Sequence, residues 1–338
     1  MSLFAKPSEG QSATDEALLR RGELFDGIGR RRIIAPEDVG KDDPKLLGYT
    51  RATSYISALE DTTGLEKWHT RLILEGASDA DLENSVLTAY QSFLEAERLA
   101  GIELKEYLAT TPKPTKKRIA EISETPGKAY RARLGEIAEY AFYLGGGRES
   151  ADYGTALHEL FDRRLNDTLT SKFMESEEEK WPGILDDLAA LCNEWDRFVK
   201  LTGAKVEHSE VLVVNDKLQV AGRTDLVVVC RLPGEPRSRR IIIDLKSGKM
   251  DSETKMAQQL AMYAGSKRYD PETGERSSMR VRQDIGIIIH CPKGEARAEF
   301  HVLQLAPGRA CNTLCAKVRE SRRKVPGLRT TLDLTDPS

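Results

Sequence analysis

The sequence predicts an α/β protein: a mixed central sheet flanked by helices, with a mostly helical region in front of it. Three observations lead there. The apolar period switches from 3.6 residues to 2 near Glu210. Two runs rich in β-branched residues, Leu226–Cys230 and Ile241–Leu245, follow closely. Helical patterning then returns before a further pair of strands, and the order helix, strands, helix, strand pair fits helices layered on a mixed sheet.

Residues 1 to about 45 are polar and charge-rich, with helical patterning at Asp15–Phe25, and read as partly disordered. From Tyr49 to Gly76, the pattern of Tyr55, Ile56, Leu59, Leu65, Trp68 and Leu72 fits two short helices around a Thr62-Thr63-Gly64 break. A longer helix is expected over about Ala80–Ala100. A Pro- and Lys-rich loop covers Thr110–Arg118, and more helix runs to Leu144, where Gly145-Gly146-Gly147 stops it. Residues 1–147 are thus expected to form the helical N-terminal region. Leu157, Leu160, Phe161 and Leu165 share one stripe of an amphipathic helix over Tyr153–Leu169. A second helix covers Gly183–Leu201. Strands are expected at Glu210–Val214 and Leu218–Gly222 around an Asn215-Asp216 turn. Two more follow at Leu226–Cys230 and Ile241–Leu245, separated by Pro233-Gly234-Glu235-Pro236. A helix over about Ser252–Tyr269, strands at Ile285–His290 and Glu299–Leu305, and a helix at Arg309–Lys324 complete a core set at residues 148–325. A tail occupies 326–338. The sequence has no internal repeat.

Hydrophobic residues make up 39% of the chain and charged residues 31%, which is enough apolar material for a true globular core. The net charge of −3 argues against passive coating of a nucleic-acid backbone, because such binders carry a positive excess. An enzyme that meets phosphates partly through carboxylate-held metal ions needs none. The five cysteines, Cys192, Cys230, Cys291, Cys311 and Cys315, are odd in number and contain no C-x-x-C pair, which speaks against a disulfide framework. Cys311 and Cys315 read as packed or solvated thiols rather than metal ligands. No apolar run approaches the ~18 residues of a membrane span, and no signal-type stretch is visible. A reducing cytoplasm is the expected location.

Chemistry concentrates in the strand region. In Ile241-Ile242-Ile243-Asp244-Leu245-Lys246, three β-branched residues build a buried strand. Period-2 alternation then puts Asp244 and Lys246 on one face. Burying a carboxylate and an ammonium together is costly without a purpose. A metal on the carboxylate supplies one: it lowers the pKa of a bound water, which the lysine orients or deprotonates for attack on phosphorus. Asp225, in Val220-Ala221-Gly222-Arg223-Thr224-Asp225, offers a second hard oxygen suited to Mg²⁺ or Mn²⁺. Gly222 allows close backbone approach just before it. His158 borders the apolar stripe of its helix and gains meaning only from these neighbours. Gln259 and Tyr263 stand i and i+4 on one helix face. Glu210 reads equally as a further ligand or as a surface acid. His69, His208, His290 and His301 lack metal-ligand spacing. Trp68, beside Leu65 and Leu72, reads as core rather than as a base-stacking platform. Basic candidates for gripping a strand are Lys113, Lys116, Lys117 and Arg118, and Arg319, Arg322, Arg323 and Lys324. There is no nucleophile-elbow, Walker or Rossmann glycine motif.

Taken in order, G-T-A-L-H (154–158), A-G-R-T-D (221–225), D-L-K-S-G (244–248) and Q-L-A-M-Y (259–263) resemble the RecB-like branch of the PD-(D/E)XK nucleases. That branch includes the nuclease domain of RecB and RecB-like CRISPR-associated nucleases. The resemblance covers roughly residues 150–306. Tyr49-Thr50-Arg51 through Trp68, Tyr269-Asp270 and Gln283-Asp284 also look like exonucleases of this type from actinobacterial phages. The resemblance implies a restriction-endonuclease-like core. It implies His158, Asp225 and Asp244 as metal ligands, with the Leu245 carbonyl assisting, and Lys246 as the catalytic lysine. Asp244, Asp225, Gln259 and Tyr263 complete the catalytic set, the last two by supporting the site or contacting DNA. It further implies a Mg²⁺- or Mn²⁺-dependent deoxyribonuclease acting on linear duplex or single-stranded DNA ends. The expected role is exonuclease in phage recombination or end processing, with a single-strand-annealing recombinase as candidate partner and oligomerisation left open. A structure-specific endonuclease, or a catalytically idle DNA-binding protein retaining the fold, are the alternatives. The intact Asp244-Leu245-Lys246 argues against the idle one. Many relatives hold an iron–sulfur cluster through an early cysteine and a late C-x-x-C group. Here no cysteine precedes Cys192, so no cluster is expected.

Overall fold

The computed structural model describes residues 25–322 apart from 27, 28, 42, 60–62, 78, 79 and 251. The helical patterning expected before Phe25, Thr62 of the expected break, the basic residues Arg323 and Lys324, and the 326–338 tail lie outside the described residues. Two compact units emerge, one formed by residues up to 60 together with those from 156 onward, the other by residues 61–155.

The first elements are two strands, β1 (Arg31–Ile34) and β2 (Leu46–Arg51), paired antiparallel from Arg31↔Tyr49 to Ile34↔Leu46, and a short helix, α1 (Ala52–Ile56). This hairpin corrects two expectations: part of the disordered stretch is sheet, and Tyr49–Arg51 are strand rather than helix. Its anchors come from far along the chain, which is why local sequence hid them. Tyr49 Oη donates to Asp216 Oδ1 at 2.7 Å, Ile34 N donates to Tyr269 Oη at 3.0 Å, and Arg276 Nη2 donates to the Ile34 carbonyl at 2.6 Å.

The 61–155 unit is built from α2 (Thr63–Gly76), α3 (Ala80–Thr110) and α4 (Lys116–Leu144). Leu82, Ala89, Ile137 and Ala141 form its buried cluster, with Ile73 and Tyr130 against it. Two glycines permit near backbone contact. A Cβ on Gly76 would lie 1.8 Å from the Ala141 carbonyl oxygen, and one on Gly145 would lie 2.2 Å from that of Leu72. Helix α3 runs past its expected end. Helix α4 begins inside the expected loop because Thr115 Oγ1 accepts from Arg118 N at 3.2 Å and caps it.

The chain continues with α5 (Glu149–Leu165), α6 (Ser171–Lys180), α7 (Ile184–Thr202), β3 (Lys205–Asn215), β4 (Val220–Cys230), β5 (Arg239–Lys246) and α8 (Glu253–Ala264). It ends with β6 (Lys267–Tyr269), β7 (Arg276–Ser278), β8 (Ile285–His290), β9 (Glu299–Gln304) and α9 (Leu305–Ser321). The sheet order is β7-β6-β3-β4-β5-β8-β9, with β2 added parallel to β4 at Thr50↔Val220. β3, β4 and β5 are antiparallel neighbours, whereas β8 lies parallel to β5 after a connection that carries α8. The mixed sheet flanked by helices is the α/β class expected.

Other elements also depart from expectation. Val220–Gly222 and Leu226–Cys230 are not separate strands but parts of β4, whose polar middle had read as an interruption, and Leu218 and Gln219 lie in the turn before it. The helix expected to reach Tyr269 stops at Ala264, and its last residues are β6. Helix α6 was not expected, since Ser171–Lys180 is dominated by charge and lacks an apolar stripe.

Leu260, Ala261 and Tyr263 of α8, with Leu305 and Cys315 of α9, pack on Val227, Ile242 and Ile288 of the sheet. On the other face α5, α7 and β9 meet through aromatic rings: Phe161 against Trp195 (5.7 Å) and Phe198 stacked on Phe300 (4.4 Å). Val220 and Val227 lie in the same buried cluster although they stand seven positions apart, an odd offset that regular alternation would put on opposite faces. The face alternation of β4 therefore breaks between them, where Glu210 of β3 stands opposite with φ +50°.

Candidate active site

The break in β4 is where the polar residues converge. Asp225 lies opposite Glu210, between the pairs Ser209↔Leu226 and Val211↔Thr224. Asp244 and Lys246 close β5 beside them, and α5 presents His158. Asp225 Oδ2 accepts from Leu245 N at 2.7 Å and stands 3.4 Å from His158 Nδ1. Asp244 is only 2% exposed, and the ammonium of Lys246 pairs with its Oδ2. Gln259 Nε2 donates to Asp244 Oδ1 at 3.3 Å and to Tyr263 Oη at 3.1 Å. The fold thus gathers His158, Asp225, Asp244, Leu245, Lys246, Gln259 and Tyr263 at one place, although they span a hundred residues of chain.

Glu210 joins them. Ligand atoms of His158, Glu210 and Asp225 all lie within 4.8 Å of one another. The positive φ of Glu210 is unusual for a residue with a side chain and is a local strain. Asp162, one helical turn after His158, lines the same cleft with Leu226 and Leu245. Asp162 is not among the site residues expected from the sequence, and Glu210 is left open there; the i, i+4 spacing of His158 and Asp162, and the place of Glu210 across a hairpin from Asp225, are the signals that could have found them.

The electrostatics show what the cleft lacks. Burial, then repulsion from Asp244, hold the Asp225 carboxyl well above the usual carboxylate range, against Lys246 and the Leu245 N–H. Burial likewise raises Glu210, with Asp162 and Asp244 adding repulsion and Arg223 opposing. Burial and Lys246 depress His158, which favours the neutral imidazole that metal ligation requires, with Asp244 pulling the other way. Burial works against the Lys246 charge, but Asp244 and Asp225 outweigh it and raise its pKa. Crowded carboxylates beside a neutral imidazole form a hard donor set deficient in positive charge, and a divalent cation fits it.

Other candidate residues have different surroundings. Arg118 is held by Glu103 and Glu121 at 2.7 and 3.1 Å. Arg319 Nη2 donates to Thr50 Oγ1 at 2.8 Å, and its guanidinium lies over the Tyr55 ring. Trp68, expected in the core, is 40% exposed and makes an edge contact with Phe142. Cys315 is buried and its sulfur accepts from Gln258 Nε2 at 3.1 Å. Among the described residues no helix is long and apolar enough to cross a membrane.

No curated protein matches the chain. Residues 117–282 match the family model of the PD-(D/E)XK nuclease superfamily, a span that contains every residue of the polar cluster. The mixed sheet with its flanking helices has the architecture of a restriction-endonuclease-like core. Over residues 117–282, then, this chain is similar to the nucleases of the PD-(D/E)XK superfamily.

Proposed function

We propose that the protein is a RecB-like deoxyribonuclease that hydrolyses phosphodiester bonds from DNA ends with Mg²⁺ or Mn²⁺. The observation that carries this reading is the convergence of ligand atoms of His158, Glu210 and Asp225 within 4.8 Å of one another, beside the Asp244–Lys246 pair. A divalent ion held by these residues, with Asp244 and the Leu245 carbonyl alongside, would acidify a water and offset charge on the phosphate. Lys246 does its part as a cation. Asp244 and Asp225 favour its ammonium form, so it donates hydrogen bonds to the attacking water or to the phosphate oxygens. Asp225 takes its orientation from the Leu245 N–H, and Asp244 takes its from Gln259 and Lys246.

The exonuclease reading is supported by the likeness of Tyr49–Trp68 to phage exonucleases. It suits a role in recombination or end processing in the host cytoplasm, with a single-strand-annealing recombinase as partner. The chemistry belongs to a core at 148–325, to which β2 adds a strand, and requires no iron–sulfur cluster. The test is digestion of end-labelled linear duplex with Mg²⁺, comparing wild type with Lys246→Ala, alongside EDTA and covalently closed circular controls. Release of short products that needs metal, lysine and a free end is expected, with Lys246→Ala slower by about a hundred- to a thousandfold. Nicking of the circle would establish an endonuclease instead. Absence of lysine-dependent cleavage with either metal would mean a fold retained for binding.

A further inference from the structure

Gly222 is the third residue of β4, inside a strand that glycine weakens, and its backbone does not adopt a positive φ. Something other than conformation must account for it. A Cβ built there would lie 2.6 Å from Tyr263 Cε1, 3.3 Å from its Cζ and 3.0 Å from Ala52 Cβ. The Tyr263 ring therefore occupies the space that any side chain at 222 would need. The ring is 3% exposed, and its hydroxyl accepts one hydrogen from the Gln259 amide, whose nitrogen also reaches Asp244 Oδ1. An amide nitrogen carries two hydrogens, so these acceptors together fix its plane. Asp244 in turn divides its oxygens between Gln259 and Lys246.

From this chain of contacts we infer that Gly222 and Tyr263 are positioning residues, which aim the Asp244 carboxylate through Gln259. The inference rests on the nuclease reading only for its kinetic readout. The glycine of the strand and the tyrosine of the following helix form one device: the missing Cβ seats the ring, the ring's hydroxyl orients the amide, and the amide holds one oxygen of Asp244 away from Lys246. With that restraint gone, the carboxylate is free to turn toward the ammonium.

The test compares Gly222→Ala, Tyr263→Phe and the double variant with wild type. Three readouts are taken: thermal unfolding, Mn²⁺ affinity by calorimetry, and kcat and KM on a linear oligonucleotide duplex. Tyr263→Phe keeps the ring and loses one hydrogen bond, so the fold should persist. Its kcat and its Mn²⁺ affinity are each expected to fall about five- to tenfold, with KM unchanged. Gly222→Ala should show the same kcat defect, and the double variant should be no worse than the more impaired single one. Multiplying defects in the double variant, or a Tyr263→Phe enzyme with wild-type kcat and Mn²⁺ affinity, would overturn the inference. If wild type cleaves no DNA, the nuclease reading fails alone. The Mn²⁺ affinities of Tyr263→Phe then decide the positioning claim, and they do so even if Gly222→Ala does not fold.

Discussion

Replacing Asp187 with alanine should release the segment that follows β8 and, with it, the peptide that carries Lys246. Asp187 sits in the first turn of α7 and is fully buried. Its Oδ2 accepts from Gly294 N at 2.7 Å and its Oδ1 from Ala296 N at 2.8 Å. Both residues hold positive φ, +73° and +44°, a conformation that Ala296 reaches only under constraint. The same segment grips the end of β5. Cys291 N donates to the Lys246 carbonyl at 2.9 Å, Lys293 N to that of Ser247 at 3.2 Å, and His290 Nε2 lies 2.8 Å from that of Gly248. Each charge-assisted bond is worth about 1.5–3 kcal/mol. Residues 293–297 face solvent, so freed amides can turn to water and the total falls toward the lower end. We expect Asp187→Ala to cost about 2–4 kcal/mol and Asp187→Asn, which keeps one acceptor, about half of that. Urea unfolding gives the stability change, and amide hydrogen exchange at Gly294 and Ala296 reports the release directly. Unaltered exchange at those two amides in Asp187→Ala would refute the account, whatever the change in global stability.

Two further outcomes follow from other parts of the fold. Burial first, then the hydrogen bond to Asp216, push the Tyr49 hydroxyl up from 10.0 to about 12, against Arg276. The folded state thus favours the neutral phenol: its contribution is complete below pH 10 and disappears as pH rises toward 12, a loss of about 2–3 kcal/mol. Unfolding midpoints of wild type and Tyr49→Phe should converge over that interval, and parallel pH curves would remove Tyr49 as the cause. Gly308 of α9 is buried against the backbone of α8, where a Cβ would lie 2.3 Å from the Ala257 carbonyl oxygen. Gly308→Ala must push the helices apart and should cost about 2–3 kcal/mol, read as a lowered Tm; an unshifted Tm would show that the contact gives way freely.

Much of the site was legible because its residues lie on regular elements. The alternation of a β-branched run set Asp244 and Lys246 on one face, and the i, i+4 spacing set Gln259 and Tyr263 on another that meets it. Glu210 was ambiguous because a strand acid looks the same in sequence whether it faces solvent or a second carboxylate. Its role depends on the pairing register with β4 and on a left-handed residue that no composition signals. The polar stretch Arg223-Thr224-Asp225 looked like a gap between strands for the same reason: hydrophobic periodicity treats a buried functional residue as a breach of pattern.

By itself the sequence determined the α/β class, the order of its main strands and helices from α7 onward, and most of the side chains that gather in the polar cluster. These follow from local periodicity and residue type, which act over a few neighbours. The tertiary structure alone decided that β1 and β2 join the sheet, that β4 is one continuous strand, that Glu210 joins the carboxylate cluster, and that Gly222 makes room for Tyr263. Each of these depends on contacts between residues far apart in the chain. Their energies come from burial and close packing, and those exist only once the sheet has assembled.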